Sequence, residues 1–494
     1  MLFNSFEFLV FFIIVTGLYF TLPHKFRWLL LLLASCVFYM FFIPIYILIL
    51  FVTIIIDYFA GIYIEKSEGK KRKYLLVISL ISNIGILAFF KYYNFFIDNI
   101  NVVFNVLHWN YSIDLLKIVL PIGLSFHTFQ AMSYTIEVYR KKQKAEKHFG
   151  IYALYVMYYP QLVAGPIERP QNVLSQFHTK HKFNPYLFSN GLKQTVIGLF
   201  KKVVIADSLA PYVNLVYDNP EQYEPITIFI ATVFFAFQIY CDFSGYSDIA
   251  LGASRVMGIE LMQNFKAPYR SVSISDFWSR WHMSLSSWFR DYVYIPLGGN
   301  RVGQSRLFFN LFLVFMISGF WHGANWTFII WGALHGFYTI AEIAFKKKTK
   351  SIKINNNSLA FMVKITKQFI VFYLVCFAWI FFRAETVSKA VFMAKQFVLG
   401  IPVYITHLTQ KGYLWLEPLI FNENINRKLL DFLFLGTALL LLFLIDKIEY
   451  KTKFINYLDT KPFLLRFSFY QIIIILFFII GSFHSEKEFI YFQF

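Results

Sequence analysis

Two histidines inside an apolar stretch are the first residues whose type suggests chemistry. His322 lies in WHGANW (321–326) and His335 in WGALHG (331–336). An ionisable side chain within a membrane-spanning segment costs free energy, so it is by default a candidate functional residue. A buried neutral imidazole is a suitable general base because its ordinary pKa is near 6.5. The alternative, favoured more for His335, is an interior histidine hydrogen-bonded across a helix interface.

The spacing of these histidines leaves two arrangements open. In one continuous helix over 322–335, the two side chains would lie about 20 Å apart along the axis and on different faces. They would then not form a pair. Alternatively, Gly323, Ala324 and Asn325 break the helix and expose backbone amides beside His322.

A second group of polar residues lies in 277–301, FWSRWHMSLSSWFRDYVYIPLGGNR. Helical spacing places His282 and Ser286 on one face, with Arg290 and Asp291 near its end. A helix that carries both charges between apolar spans is expected to be buried in protein or to line a wet cavity. A neighbouring face is predicted to be an aromatic stripe, typical of an interface or core, formed by Trp278, Trp281, Leu285, Trp288 and Tyr292.

Other polar groups interrupt apolar runs at 121–130, 159–170 and 238–252. The last of these holds Gln238, Asp242 and Asp248. The two aspartates are six residues apart and do not share a helical face, so caps and inter-helix hydrogen bonds are favoured over a metal site. The three cysteines stand far apart with no metal-ligand spacing, and we predict no metal or permanently bound cofactor.

The composition indicates the class of protein that must position these residues. Of 494 residues, 58% are hydrophobic, 21% are aromatic and 15% are charged, against about 25% charged in soluble domains. Lys and Arg exceed Asp and Glu by 46 to 28, which gives a net charge of +18. Basic arms typical of nucleic-acid binding are missing. We therefore predict an integral membrane protein whose basic residues mark cytoplasmic loops.

Apolar runs long enough to cross about 30 Å of hydrocarbon recur along the chain. Two shorter or more polar stretches, 149–165 and 278–297, fit re-entrant or interfacial helices. We predict one all-α domain over residues 1–494, with about 11 transmembrane helices plus re-entrant helices around a central tunnel. The runs are 2–22, 28–44, 45–64, 74–97, 117–139, 188–213, 225–250, 307–321, 325–345, 361–382, 429–446 and 464–482.

Basic residues follow the first, third and fifth of these runs, whereas the loops at 43–45 and 98–113 contain no Lys or Arg. The positive-inside rule then places the N-terminus outside. Further basic clusters at 346–353 and 447–461 place the C-terminus outside as well. The exact crossings between 148 and 346 stay open.

Three motifs in order resemble one family. QIYCDFSGYSDIALG, FWSRWHMSLSSWFRDYVYIPLGGNR and WHGANWTFIIWGALHG, within 238–345, resemble the membrane-bound O-acyltransferase (MBOAT) superfamily. Within it they are similar to the bacterial branch that O-acetylates exported polysaccharides, including alginate and peptidoglycan. YPQLVAGPIERP, WIFFRAETV and the final EFIYFQF also resemble that branch.

The resemblance implies specific roles. The essential histidine of the family falls on His322 and its second histidine on His282. Acetyl-CoA would be the cytoplasmic acyl donor, a polysaccharide the external acceptor, and an extracytoplasmic esterase-like acetyltransferase the partner protein. The membrane would be the bacterial cytoplasmic one. The candidates for lining the tunnel or contacting substrate are Asn325, Trp321, Arg290, Asp291, Trp281, Ser286, Gln238 and Asp242.

Other functions remain open. D-alanyl transfer to teichoic acid is the alternative within the superfamily, and a transporter or flippase with a polar pathway is the alternative from a different class. An assembly scaffold would need neither histidine. The sequence contains no GxSxG elbow and no nucleotide-binding motif.

Overall fold

The computed structural model describes residues 1–117, 119–348, 356–411, 429–481 and 489–490. Helices form nearly all of the regular structure there, and these residues contain no β-strand. The predicted all-α class is confirmed. Seven helices in the described part of the chain are long and apolar enough to cross a membrane.

The chain divides into two compact units that alternate along the sequence. Unit 1 comprises residues 1–196 and 246–263, and unit 2 comprises residues 197–245 and 264–494. Two of the three divisions between the units fall inside helices, α9 (Pro185–Leu199) and α11 (Pro225–Val256). The single domain expected from the sequence stays a prediction.

Unit 1 contains helices of very different lengths. The longest, α4, has 38 residues, and α3, α4 and α5 pack against one another. The helices are α1 (Phe6–Thr21), α2 (His24–Met40), α3 (Ile47–Lys66), α4 (Gly69–Val106), α5 (Leu124–Tyr139), α6 (Phe149–Met157), α7 (Tyr159–Leu162), α8 (Pro170–His178) and the greater part of α9 (Pro185–Leu199).

Unit 2 begins with a π-helical segment, Phe200–Ala206, that continues α9. A second π-helical segment, Arg290–Tyr294, follows α13. The helices are α10 (Asp207–Asp218), α11 (Pro225–Val256, of which 246–256 belong to unit 1), α12 (Ile274–Trp278), α13 (Met283–Phe289), α14 (Gln304–His322), α15 (Trp326–Lys348), α16 (Asn357–Arg383), α17 (Val387–Lys411), α18 (Leu429–Glu449), α19 (Phe454–Asp459) and α20 (Phe463–Ile480).

Proline explains where two predicted runs separate. Pro44 opens a short 3-10 turn that leads into α3, because a residue without an N–H is best tolerated in the first turn of a helix. The predicted re-entrant stretch 149–165 is divided between α6 and α7, with Pro160 at the start of the second helix. The expected number of about 11 spans stays a prediction.

Candidate active site

Helices α14 and α15 form a closely packed hairpin that holds His322. A Cβ atom at Gly319 would collide with the carbonyl oxygen of Phe328, and one at Gly332 with that of Phe315. Small residues let the backbones of membrane helices approach each other closely. The C-terminal end of α14, at His322, is thereby held against α15.

The turn after His322 breaks the helix. Gly323 is extended, with φ of −159°, and Asn325 accepts the N–H of Thr327 at 3.0 Å. The Asn325 amide also donates to the carbonyl oxygen of Glu385 at 3.0 Å. A continuous helix over 322–335 is therefore wrong, and the predicted break is confirmed. The side-chain oxygen of Asn325 thus caps α15, and its amide nitrogen joins the turn to Glu385.

Aromatic rings surround the His322 imidazole. Its centroid lies 4.9 Å from the Trp321 ring, 5.0 Å from Trp331 and 5.4 Å from Phe382, each at a steep angle. His322 is buried. An imidazole in such surroundings exchanges protons with a bound substrate more readily than with bulk water.

His282 lies in a sharp turn and not inside a helix. Its backbone is left-handed, with φ 44° and ψ 54°. For a residue other than glycine this conformation costs about 1–3 kcal/mol and needs support from its surroundings. Two backbone bonds supply that support, from Lys266 N–H to the Arg280 oxygen at 3.0 Å and from Met283 N–H to the Asn264 oxygen at 2.9 Å.

This turn corrects a prediction. The aromatic stripe and the face of His282 and Ser286 were expected on one helix, but α12 ends at Trp278 and α13 begins at Met283. The left-handed residue between them interrupts the helix. Trp278 therefore does not continue the face of Trp288.

The His282 side chain is completely buried. Its ring centroid lies 4.6 Å from Phe243, and its Nδ1 lies 3.4 Å from Ser284 Oγ. Burial lowers the pKa of His282 to about 3, because the charged imidazolium would lose its hydration. His282 is therefore neutral at pH 7.

Trp321 contacts both histidines. Its ring centroid is 4.9 Å from that of His322 and 6.4 Å from that of His282. The two imidazole centroids are therefore no farther apart than the sum of these two distances, 11.3 Å. The structure brings the two predicted catalytic histidines into one site.

His335 has a defined structural partner. The indole N–H of Trp278 donates to His335 Nδ1 at 3.2 Å, which joins α12 to α15. His335 also packs on Trp331 at 5.1 Å. This geometry agrees with an interior histidine that is hydrogen-bonded across a helix interface.

Three other predicted lining residues are buried or half-buried in unit 2. Trp281 is buried and packs 5.0 Å from Trp379. Gln238 is buried, and its Oε1 has no hydrogen-bond partner among the described residues. Ser286 donates to the carbonyl oxygen of Trp281 at 3.3 Å. Their contact with substrate stays a prediction.

Arg290 and Asp291 are not enclosed by protein. The Arg290 side chain is 62% exposed and that of Asp291 28%, and the two form an ion pair at 2.8 Å. We expected a buried pair or the lining of a wet cavity, and burial is wrong for Arg290. The reason is local, because the pair lies on the π-helical turn just after α13.

Asp242 belongs to a buried charge cluster. Lys202 Nζ lies 2.5 Å from Asp242 Oδ1 and 2.9 Å from Asp207 Oδ1. Asp242 Oδ2 accepts the backbone N–H of Ile490 at 2.7 Å. The ring of Phe489 lies 5.4 Å from Phe243, which in turn contacts His282. These bonds agree with the inter-helix interpretation of Asp242.

Sequence reasoning missed two residues beside His282. Ser284 and Asn264 are both buried, and Ser284 Oγ lies 2.9 Å from Asn264 Oδ1. No spacing rule joins residue 264 to residues 282–284, because the connection is a tertiary one. The Lys202 cluster was also missed, although two adjacent lysines inside the run 188–213 could have drawn attention to it.

Comparisons with known proteins show what the chain is similar to. Residues 16–384 match the family described as MBOAT, membrane-bound O-acyltransferase family. The chain is similar to the peptidoglycan O-acetyltransferase of Helicobacter pylori, with 37% identity over 423 residues, which cover 80% of this chain and 77% of that protein. The resemblance inferred from the motifs is confirmed, and His282 and His322 both lie within the matched range.

Two further relatives differ in how similar they are to this chain. The probable alginate O-acetylase of Pseudomonas aeruginosa is 37% identical over 396 residues, which cover 79% of this chain and 73% of that protein. The teichoic acid D-alanyltransferase of Bacillus subtilis is 28% identical over 277 residues, which cover 53% of this chain and 69% of that protein. The similarity is thus higher to the two O-acetylating proteins.

Proposed function

Because the chain belongs to the membrane-bound O-acyltransferase family, we propose that it transfers acetyl groups from cytoplasmic acetyl-CoA to hydroxyls of an exported or cell-wall polysaccharide. An extracytoplasmic esterase-like acetyltransferase receives the acetyl group or assists its delivery. The membrane is the bacterial cytoplasmic membrane, with both termini outside.

One observation carries this proposal: His322 and His282 meet at Trp321 inside a wall of aromatic rings. Acyl transfer to a hydroxyl needs a proton acceptor and a site from which water is excluded, since water would hydrolyse the thioester. The rings of Trp321, Trp331 and Phe382 supply that exclusion around His322.

In the proposed reaction, His322 takes the proton of the acceptor hydroxyl as its oxygen attacks the carbonyl carbon of the thioester. The new C–O bond forms and the carbonyl oxygen becomes a transient oxyanion. The C–S bond then breaks, and the thiolate takes the proton back from His322. The products are the acetyl ester and free thiol, with no net proton released. A positioned base contributes about 10²–10⁴ to the rate.

The oxyanion needs hydrogen-bond donors. Trp331 is fully buried, its ring lies 5.0 Å from His322, and its indole N–H has no partner among the described residues. A buried donor of this kind suits a charge that exists only in the transition state. The amide nitrogen of Asn325 already donates to the carbonyl oxygen of Glu385.

Basic residues support acetyl-CoA as the donor. Sequence similarity supports a polysaccharide as the acceptor. The Lys and Arg clusters of the predicted cytoplasmic loops would attract the polyanionic CoA. Among relatives, one is a peptidoglycan O-acetyltransferase and another a probable alginate O-acetylase, and both names describe O-acetylation of a polymer.

The purified chain, incubated with radiolabelled acetyl-CoA, a candidate polysaccharide and the partner protein, tests the proposal. We expect label transfer by the wild type, a loss of about 10²–10⁴ in His322→Ala, and a severe loss in His282→Ala. Both variants should insert into membranes and purify normally.

A buried histidine of unit 1 provides the matched control. His127 is bonded to Thr53 and lies outside the site, so His127→Ala should keep its turnover per folded molecule. Normal transfer by His322→Ala contradicts the catalytic assignment. Movement of a polysaccharide across vesicles without thioester consumption would instead support a transporter.

A further inference from the structure

The hydrogen bonds beside His282 have directions that can be deduced. The backbone N–H of Ser284 can only donate, and it points to Asn264 Oδ1 at 3.2 Å. The atom that receives it must be the amide oxygen, since the amide nitrogen is itself a donor. The orientation of the Asn264 amide is therefore settled by the backbone.

The next bond follows from this one. Ser284 Oγ lies 2.9 Å from the same Asn264 oxygen. An amide oxygen cannot donate, so the single hydroxyl proton of Ser284 is used in this bond. Ser284 Oγ can then act towards His282 Nδ1, 3.4 Å away, only as an acceptor. Nδ1 must carry a proton.

We propose that Asn264 and Ser284 are positioning residues that hold neutral His282 with its proton on Nδ1 and the lone pair on Nε2. His282 then offers an acceptor nitrogen to the site and does not donate to the oxyanion. This inference rests on the proposed acyl transfer. The oxyanion is then left to donors such as Trp331.

Asn264 is well placed for this function because it holds the whole turn. Its backbone oxygen accepts the N–H of Met283 at 2.9 Å, and its side-chain oxygen accepts both the N–H and the hydroxyl of Ser284. One residue thus supports the left-handed backbone of His282 and sets the proton on its ring. No proton moves along this chain during the reaction.

Because His282 is buried, the position of its ring proton matters for the reaction. A neutral imidazole has one donor and one acceptor nitrogen, and exchanging them inverts what the ring offers to a substrate. The wrong tautomer costs about 10⁴ in kcat in the serine-protease triad. Here the positioning bond runs from Nδ1–H to a neutral hydroxyl oxygen and not to a carboxylate, so we expect a smaller effect, of about tenfold.

Two substitutions of nearly equal volume test the proposal. Ser284→Thr keeps the hydroxyl, whereas Ser284→Val replaces it with a methyl group. We expect Ser284→Val to lower kcat about tenfold at unchanged KM for acetyl-CoA, and Ser284→Thr to restore most of the rate. Equal kcat values for the two variants, both folded by thermal unfolding in detergent, would overturn the tautomer assignment.

A double-mutant cycle provides a second measurement that packing alone would not produce. Asn264→Leu frees the Ser284 hydroxyl to donate to Nδ1 and should lower kcat. Because both residues act through one ring proton, the double variant with Ser284→Val should lose no more than the larger single loss. Additive losses contradict a shared mechanism.

The same assay separates this inference from the function itself. An inactive wild type, or equal activity in wild type and His322→Ala, refutes the acyl-transfer mechanism and the inference with it. An active, His322-dependent wild type whose Ser284→Val variant turns over normally refutes the tautomer assignment alone. If either the Ser284 or the Asn264 variant fails to fold, the variant of the other residue is measured instead.

Discussion

Asp57 in unit 1 and His282 in unit 2 are both fully buried polar residues, but their surroundings differ. Asp57 Oδ1 accepts the hydroxyl of Ser79 at 2.6 Å, and its Oδ2 accepts the amide of Asn83 at 2.8 Å. These bonds join α3 to α4. Around His282 and His322 the nearest side chains are mainly aromatic rings.

The two kinds of surroundings distinguish a structural polar group from a reactive one in this chain. Complementary partners on neighbouring helices satisfy a buried carboxyl and hold it in one state. Aromatic walls exclude water but fix no proton themselves, and at His282 the pair Asn264 and Ser284 does that. Burial of a polar residue alone therefore does not identify the site.

The Lys202 cluster shows that the surroundings of a buried polar group, and not the unit that contains it, decide whether the group is structural or reactive. It lies in unit 2 with the histidines, yet Lys202 is paired with both Asp207 and Asp242. By the same reasoning it is structural. Substitutions in it should resemble those at Asp57 and differ from those at His322.

The largest expected effect on stability is that of Lys202→Met. Removal of the ammonium leaves two carboxylates buried without their cation, which costs about 3–5 kcal/mol. We expect a large fall in the unfolding midpoint in detergent and a similar fall in yield. Turnover per folded molecule should change much less than in His322→Ala.

Asp207→Asn is the matched control, because it leaves the pair of Lys202 and Asp242 intact. Its loss should be clearly smaller than that of Lys202→Met. If Lys202→Met instead folds normally and abolishes transfer, the cluster is part of the catalytic machinery and the comparison fails.

Asp57→Ala should have an intermediate effect. It leaves the hydroxyl of Ser79 and the amide of Asn83 without their shared acceptor, at about 1–3 kcal/mol. Unfolding measured in denaturant, together with acetyl transfer per folded molecule, checks that only stability falls.

Asp57→Asn is expected to be milder. The new amide can donate to Ser79, whose hydroxyl can turn to Thr135 Oγ1, 3.1 Å away. The remaining side-chain oxygen still accepts from Asn83. An equal loss in the Ala and Asn variants would mean that charge, and not hydrogen bonding, holds α3 to α4.

The helical class could be predicted because apolar runs and proline positions act locally. The helix boundary at Pro44 and the break at 323–325 could be predicted for that reason. The motif resemblance identified His322 and His282 as candidates, but their proximity depends on Trp321 and on the turn at residue 282.

That turn could not be predicted. Residues 279–282 are Ser-Arg-Trp-His, without the glycine or asparagine that favours a left-handed conformation. Its support comes from Asn264, eighteen positions earlier, through tertiary hydrogen bonds. Helical periodicity, which assumes a continuous helix, therefore gave the wrong face for the aromatic residues.

Arg290→Gln should have the smallest effect on stability. The pair with Asp291 is exposed, and such pairs contribute about 0.2–1 kcal/mol. The unfolding midpoint should therefore stay near that of the wild type. If Arg290 lines the path of the polyanionic donor, as the sequence predicts, its loss should raise KM for acetyl-CoA at unchanged kcat.

The size of this change follows from electrostatics. Two unit charges about 4 Å apart in water interact by about 1 kcal/mol, which corresponds to roughly fivefold in KM. Salt should reduce the difference between wild type and variant, because exposed charges are screened. Asp291→Asn removes the opposite charge and should lower KM or leave it unchanged. An unchanged KM in Arg290→Gln at low salt would mean that Arg290 does not line the donor path. Arg290 would then be only the exposed partner of Asp291 in an ion pair.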